Sequence, residues 1–292
     1  MSGIGNNIAK ADIDLIDGTF ESSQSESYHL SIQREPGRLS FCVFNTVINK
    51  YVVLRSYPLS ATEWLQSSAC RSILENDKLL GLNYKSSSCL WLSQRYTLIP
   101  HHLFDEKEAD LYLTFNQEHV TGEHTLSRYI WSANAYYVFS CPEEWLTLLR
   151  IYQPRIRFFH HSGLFIESVI GSSTSSTGKT DVAILFYGRW LDVVVTRGNR
   201  LLFYNSFQIN APADSVYYLA GVSNLFDIDL LSTKLMYAGS LSPMLPEIEI
   251  LNAYVNRIIE FEPLRTVAYS HYITESYRKR FIHLFKLFEC ES

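Results

Sequence analysis

Apolar and polar positions alternate with a period that changes at a few places, and these changes divide the chain into elements. Residues 29–34, 39–46 and 50–57 are dense in Leu, Ile, Val, Phe and Tyr and are joined by short connections. Period-two runs of this kind predict three strands of an antiparallel meander. Glu35-Pro36-Gly37 marks the first turn, because proline presets φ and glycine accepts a positive φ after it. The period then lengthens. Leu65, Ala69, Ile73 and Leu74 recur at helical spacing behind Ser60, predicting a helix to about residue 78. Strands are predicted at 86–92, 96–99, 125–131 and 135–140, with a short acid-led helix in LFDEKEADLYL. Pro142 and two glutamates open the helix PEEWLTLLRIY, whose residues 145, 148, 149 and 152 share an apolar face. A strand at 155–159 and the amphipathic stretch SGLFIESVI follow.

GSSTSSTGKT, residues 171–180, is the low-complexity stretch and predicts an interdomain linker. Beyond it the opening rhythm returns as strands at 181–187, 190–196 and 200–208, a helix at 212–225 and a strand at 234–238. A helix at about 243–255, a strand at 257–260 and a terminal helix at 274–288 complete the chain. Both halves read β-β-β-α, then β-α-β-α, a repeat of pattern with little shared sequence. The expected organisation is an arm at 1–26, a first lobe at 27–172 with an insertion at about 79–132, a linker at 173–179, and a second lobe at 180–292 that includes the C-terminal helix.

Composition narrows the function classes. With 47% hydrophobic and 19% charged residues the chain is not intrinsically disordered. A formal charge of −5 does not fit a general nucleic-acid binder, which must gather phosphate. No apolar run reaches the roughly 18 residues of a spanning helix. The first residues lack the basic start and apolar core of a secretory signal. The five cysteines, Cys42, Cys70, Cys89, Cys141 and Cys290, are scattered without a CxxC spacing, so neither a zinc knuckle nor a disulfide framework is signalled. A soluble protein of the reducing cytoplasm is expected.

Chemistry-bearing motifs are few. Gly178-Lys179-Thr180 ends like a phosphate-binding P-loop, but Ser173 stands where the first glycine belongs. The residues that follow read as a strand, whereas the motif needs a helix. His101-His102 and His160-His161 are adjacent pairs, which point in different directions and rarely ligate one ion. They read as surface and turn histidines. No G-x-S-x-G elbow occurs. Arg278, Lys279 and Arg280 give the terminal helix a basic face, behind an apolar stripe of Phe281, Leu284, Phe285 and Phe288. Such a helix packs on the body or docks an acidic partner.

The doubled arrangement resembles the actin-like ATPase fold. That fold is α/β, with two similar ribonuclease H-like lobes, each a three-strand antiparallel meander extended by parallel strands with flanking helices. Residues 135–209 look most like the type IV pilus assembly branch, beside the cell-division members of the fold. The whole chain resembles an uncharacterised bacterial family, a domain of unknown function assigned to this fold. The resemblance implies two phosphate loops, and both depart from the pattern. Ser31 and Gln33 stand where an aspartate belongs in the first hairpin. The second reads from Leu185 to Asp192, keeping one glycine and the last aspartate of D-x-G-G-G-T-T-D. The adenosine-contacting turn survives in part as Ala238-Gly239-Ser240. The candidates for a remnant nucleotide cleft are therefore Gly188, Asp192 and Gly239, with no catalytic residue, metal ligand or cofactor expected. Two readings stand side by side. One is a non-catalytic binding or scaffolding protein with a protein partner and doubtful ATP binding. The other is an active ATPase or small-molecule kinase with rearranged ligands, which would add Lys179 and Thr180 to the site.

Overall fold

A computed structural model describes residues 10–60, 67–172, 180–239, 246–261 and 267–289. Strands β2 (Tyr28–Glu35), β3 (Arg38–Asn45) and β4 (Lys50–Pro58) form the first meander. Pro36-Gly37 turns β2 into β3, with Gly37 at a φ of 82° that a side chain would oppose. Helix α1 (Ser67–Asn76) leads to β5 (Ser86–Trp91), which lies parallel to β2. After the detour described below, α3 (Glu143–Tyr152) leads to β9 (Arg157–His160), parallel to β5. The Ser60-led start of the first helix lies outside the described residues.

The second half repeats this order. Strands β10 (Thr180–Tyr187), β11 (Trp190–Arg197) and β12 (Arg200–Gln208) are antiparallel neighbours. Helix α5 (Pro212–Leu225), β13 (Lys234–Gly239), α6 (Pro246–Leu251) and β14 (Arg257–Glu260) follow, with β13 parallel to both β10 and β14. The sheet orders β4-β3-β2-β5-β9 and β12-β11-β10-β13-β14 are therefore equivalent. Helix α4 (His161–Ser172) joins the halves. Its residues from His161 to Ile166, with Val169 and Ile170, are all buried. The expected amphipathic stretch is thus closed off nearly all round, because sheets from both halves cover it.

Four features depart from the sequence pattern. First, β5 belongs to the main sheet, although it lies inside the expected 79–132 insertion. The separate sheet comprises β6 (Tyr96–Pro100), β7 (Glu123–Ile130) and β8 (Ala135–Pro142), in the order β6-β8-β7, with helix α2 (Ala109–Asn116) between β6 and β7. A buried parallel strand and an antiparallel edge strand share the same apolar run, so periodicity could not assign β5 to either sheet. Second, the N-terminal arm, for which its apolar patch at Ile13, Leu15 and Ile16 allows one short strand, joins the first sheet through that strand, β1 (Ile13–Ile16), which pairs antiparallel with β4. Third, β15 (Ala268–Tyr269) pairs parallel with the start of β4, so both ends of the chain cover that edge.

Fourth, the terminal helix is two short helices, α7 (Glu275–Arg280) and α8 (Ile282–Lys286), and it returns to the first sheet. Phe281, Leu284 and Phe285 pack there against Cys42, Phe44, Tyr51 and Leu54. The Tyr51 hydroxyl also donates to the Phe285 carbonyl. The outer face of the first sheet needs an apolar cover that its own half does not provide. The basic residues of α7 are engaged locally. Lys279 pairs with Glu260 and Glu275, at 2.7 and 3.0 Å, and Arg278 lies over the Tyr269 ring.

Candidate functional site

The residues singled out in the second hairpin fall into two places. Gly188 sits in the β10–β11 turn at a φ of 56°. Gly239 ends β13 beside Phe186, at the same end of the sheet. This turn lies close to the first hairpin, since a Cβ built on Gly188 would lie 3.8 Å from Pro36 Cβ. Asp192 lies two residue pairs in from the turn, opposite Leu185 and Ser206. Residues opposite one another or two apart share a sheet face. Tyr187, Tyr204 and Ser206 therefore surround the Asp192 carboxylate on the side that faces α4.

That carboxylate is fully buried, at 0% exposure. It is contacted by Tyr187 Oη at 3.0 Å, Tyr204 Oη at 2.5 Å, Ser206 Oγ at 2.5 Å and His161 Nε2 at 2.9 Å. An ionised carboxylate only accepts, so all four partners donate and the His161 proton on Nε2 is fixed. Ser206, having donated, accepts from Tyr96 Oη at 3.0 Å, which ties β6 of the third sheet into the same chain of bonds. Burial first, and then the Asp192 charge, hold the Tyr96, Tyr187 and Tyr204 hydroxyls well above the usual tyrosine range, so they stay protonated as donors.

His160 and His161 were read from the sequence as surface or turn residues, and both are completely buried. The β9–α4 junction places them between the sheets, where hydrogen bonds replace water. His160 Nδ1 meets Ser162 Oγ at 2.7 Å, and its Nε2 meets the Ser93 carbonyl at 2.9 Å. The first turn of α4 is packed so closely that a Cβ on Gly163 would collide with the Tyr137 ring. His101 remains exposed and stacks beside Tyr136. No group of three or more His, Cys, Asp or Glu side chains is arranged to hold a metal ion among the described residues. Thr180 opens β10 and not a helix, and Gly178 and Lys179 lie outside the described residues. The thiols of Cys42, Cys70, Cys89 and Cys141 are all buried. Burial pushes the Cys89 thiol up to about 12.

The buried histidines make stability depend on pH. Burial, with His161 nearby, pushes His160 well below the ordinary histidine value. Burial, then His161 and Lys286, bring His283 down to about 3. Below about pH 6.5 the unfolded chain binds a proton on each ring that the folded protein does not bind. Stability is therefore full above that pH and falls as pH drops, by about 1 kcal/mol per pH unit for each ring. Urea midpoints are expected to decline between pH 7 and pH 5, and His283→Leu is expected to flatten the decline. An unchanged slope in that variant would contradict the assignment.

A groove of about 1060 Å³ lies away from the hairpin turns. It runs between the third sheet with its β7–β8 turn (Tyr129, Trp131, Tyr136), α4 (Ser168), β13 (Met236) and α8 (Lys286).

Sequence reasoning missed the buried cluster and the groove. The one usable signal was a lone acid in the otherwise apolar run from Trp190 to Val195, which required a buried partner. Its partners come from α4, β10 and β12, and no spacing rule links those elements.

Two equivalent sheets, each a meander extended by parallel strands, with paired hairpins facing across the junction, define a protein of actin-like, ribonuclease H-like ATPase fold. The model of the family described as "Protein of unknown function (DUF3822)" matches residues 17–258, and the chain belongs to that family. Among solved structures it is similar to a Bacteroides thetaiotaomicron protein with actin-like ATPase fold and unknown function. That protein is 21% identical with a TM-score of 0.77, over 86% of this chain and 96% of the other. The chain is also similar to one in the PilM–PilN type IV pilus biogenesis complex, 12% identical with a TM-score of 0.60, over 89% and 97% of the two chains. Comparison with curated proteins gives no match. No helix among the described residues is long and apolar enough to cross a membrane.

Proposed function

We propose that this chain is a non-catalytic member of the actin-like ATPase fold, with a degenerate nucleotide site and a binding or scaffolding role toward a protein partner in the cytoplasm. The close approach of the two hairpin turns carries the reading. A nucleotide triphosphate in this fold needs room between the hairpins, where backbone N–H groups can reach its oxygens. Here Pro36, which has no N–H, stands in van der Waals reach of Gly188. The candidate acid, Asp192, already accepts four internal hydrogen bonds and is closed off from the turn. Phosphoryl transfer depends on placed charge and metal-bound water, and this arrangement supports neither. The similarity to a chain of a two-protein pilus complex supports a protein partner. The negative net charge supports the same view against nucleic acid. The division into lobes at residues 173–179 belongs to this reading.

Thermal unfolding with and without Mg-ATP tests it. A ligand present at a hundred times its Kd adds about 2.7 kcal/mol of stability, which would raise the melting temperature of a chain this size by several degrees. No shift is expected with any nucleotide. A reproducible shift, or turnover of Mg-ATP by the pure protein, would overturn the proposal and favour the enzyme reading.

A further inference from the structure

The third sheet carries a surface that its own core does not use. Leu111 and Phe115 lie four residues apart on α2 and so share a face, and they are 60% and 83% exposed. Trp131, in the β7–β8 turn, is 83% exposed, and Leu103 is also open to solvent. A path of ring contacts joins α2 to the β7–β8 turn. It runs from Tyr112 on α2 through Phe104 and Tyr136 to Tyr129 and Trp131, with centroid separations of 5.9, 3.8, 5.0 and 4.8 Å. Large apolar side chains exposed on one helix and on the turns beside it mark a candidate interaction site.

Its charge says what covers it. Between residues 105 and 118 there are five carboxylates (Asp105, Glu106, Glu108, Asp110 and Glu118) against the single Lys107, a formal −4 of the −5 carried by the whole chain. All five of these acidic residues are exposed. An anionic lipid surface is repelled by such a field. A second copy presenting the same face would meet like charge. This chain's own basic run at 278–280 is occupied by Glu260, Glu275 and aromatic rings. The exposed indole of Trp131 adds an independent preference for cations, since its ring face attracts ammonium and guanidinium groups.

We propose that α2 and the neighbouring turns of the third sheet dock a basic amphipathic segment of a partner protein. Apolar side chains of that segment would cover Leu111, Phe115 and Trp131, while its Lys and Arg residues meet the surrounding carboxylates. This deepens the scaffolding reading by naming a surface and a partner chemistry, and it rests on that reading.

The test uses the full chain with two synthetic 18-residue amphipathic peptides, one of Lys and Leu and its twin of Glu and Leu. Hydrogen exchange is expected to show protection confined to about residues 101–131 with the Lys peptide and none with the Glu peptide. Asp110→Lys and Phe115→Ser, both at exposed positions, should each weaken binding at least tenfold with an unchanged melting temperature. Glu75→Lys, on the exposed side of α1, should leave binding unchanged. Protection elsewhere, equal binding of both peptides, or equal weakening by Glu75→Lys would overturn the proposal. So would a dimer that Phe115→Ser dissociates, or binding to phosphatidylserine vesicles. None of these outcomes involves nucleotide, so this surface and the inactive-cleft reading fail separately.

Discussion

Asp192→Ala is expected to lower the unfolding free energy by about 3–5 kcal/mol, because several donors lose their common acceptor at once. The substitution removes the common acceptor of Tyr187, Tyr204, Ser206 and His161. His161 and Tyr187 are then left buried, and Tyr204 and Ser206 half-buried, around a cavity, and each unsatisfied donor carries a penalty of up to about 1–3 kcal/mol unless it finds a new partner. Asp192→Asn keeps the volume and one acceptor oxygen but places an NH2 against donors, so an intermediate loss is expected. His161→Ala and the double variant complete a cycle. Because the two side chains touch, their losses should be strongly non-additive. Urea titration of the four proteins checks this. If Asp192→Ala were as stable as the parent, the carboxylate would not be the tie between α4 and the second sheet. An alteration in a nucleotide-dependent property in that variant would return Asp192 to the candidate ligand role.

The second large effect is expected at Trp145. Its side chain is completely buried on α3, and the Arg34 guanidinium lies 4.7 Å from its ring centre, with Trp91 at 5.2 Å on the same cation. Trp145→Ala leaves a cavity and uncovers one face of a nearly buried guanidinium. Core Trp to Ala changes cost about 3–5 kcal/mol, and a desolvated cation–π contact adds up to about 2 kcal/mol. Trp145→Phe keeps a ring face for Arg34 and should lose much less. Arg34→Met should reduce the penalty of Trp145→Ala in a double variant, because the uncovered charge is then absent. Denaturant unfolding measures all three. Equal losses for the Phe and Ala variants would show that the ring face is unimportant.

These two residues also show how far the chain could be read without coordinates. Trp145 was placed correctly on the apolar face of PEEWLTLLRIY, since helical spacing is a local signal. What it packs on was not legible, because Arg34 lies more than a hundred residues earlier on a strand. The three-strand rhythms at 28–58 and 180–208 were legible for the same reason as the helix. Alternation over eight residues fixes a strand, and Pro36-Gly37 and Gly188-Arg189 fix the turns between strands. Asp192 marks the limit. The likeness of residues 185–192 to a phosphate loop makes it a candidate for a remnant cleft, and nothing in that local pattern shows that its side chain is held inside by residues from three other elements.

The sequence by itself determined the order of the elements, the turns and the repeated plan of two sheets, all of which depend on neighbours in the chain. Tertiary structure alone decided that His160 and His161 are interior and that the terminal helices return to the first sheet. It alone decided that β5 belongs with β2 and that the two hairpin turns lie close together. Burial of apolar surface is non-directional and acts between segments far apart in the chain. A strand or helix therefore announces its apolar face in its own spacing, while the face that covers it is chosen only when the whole chain closes.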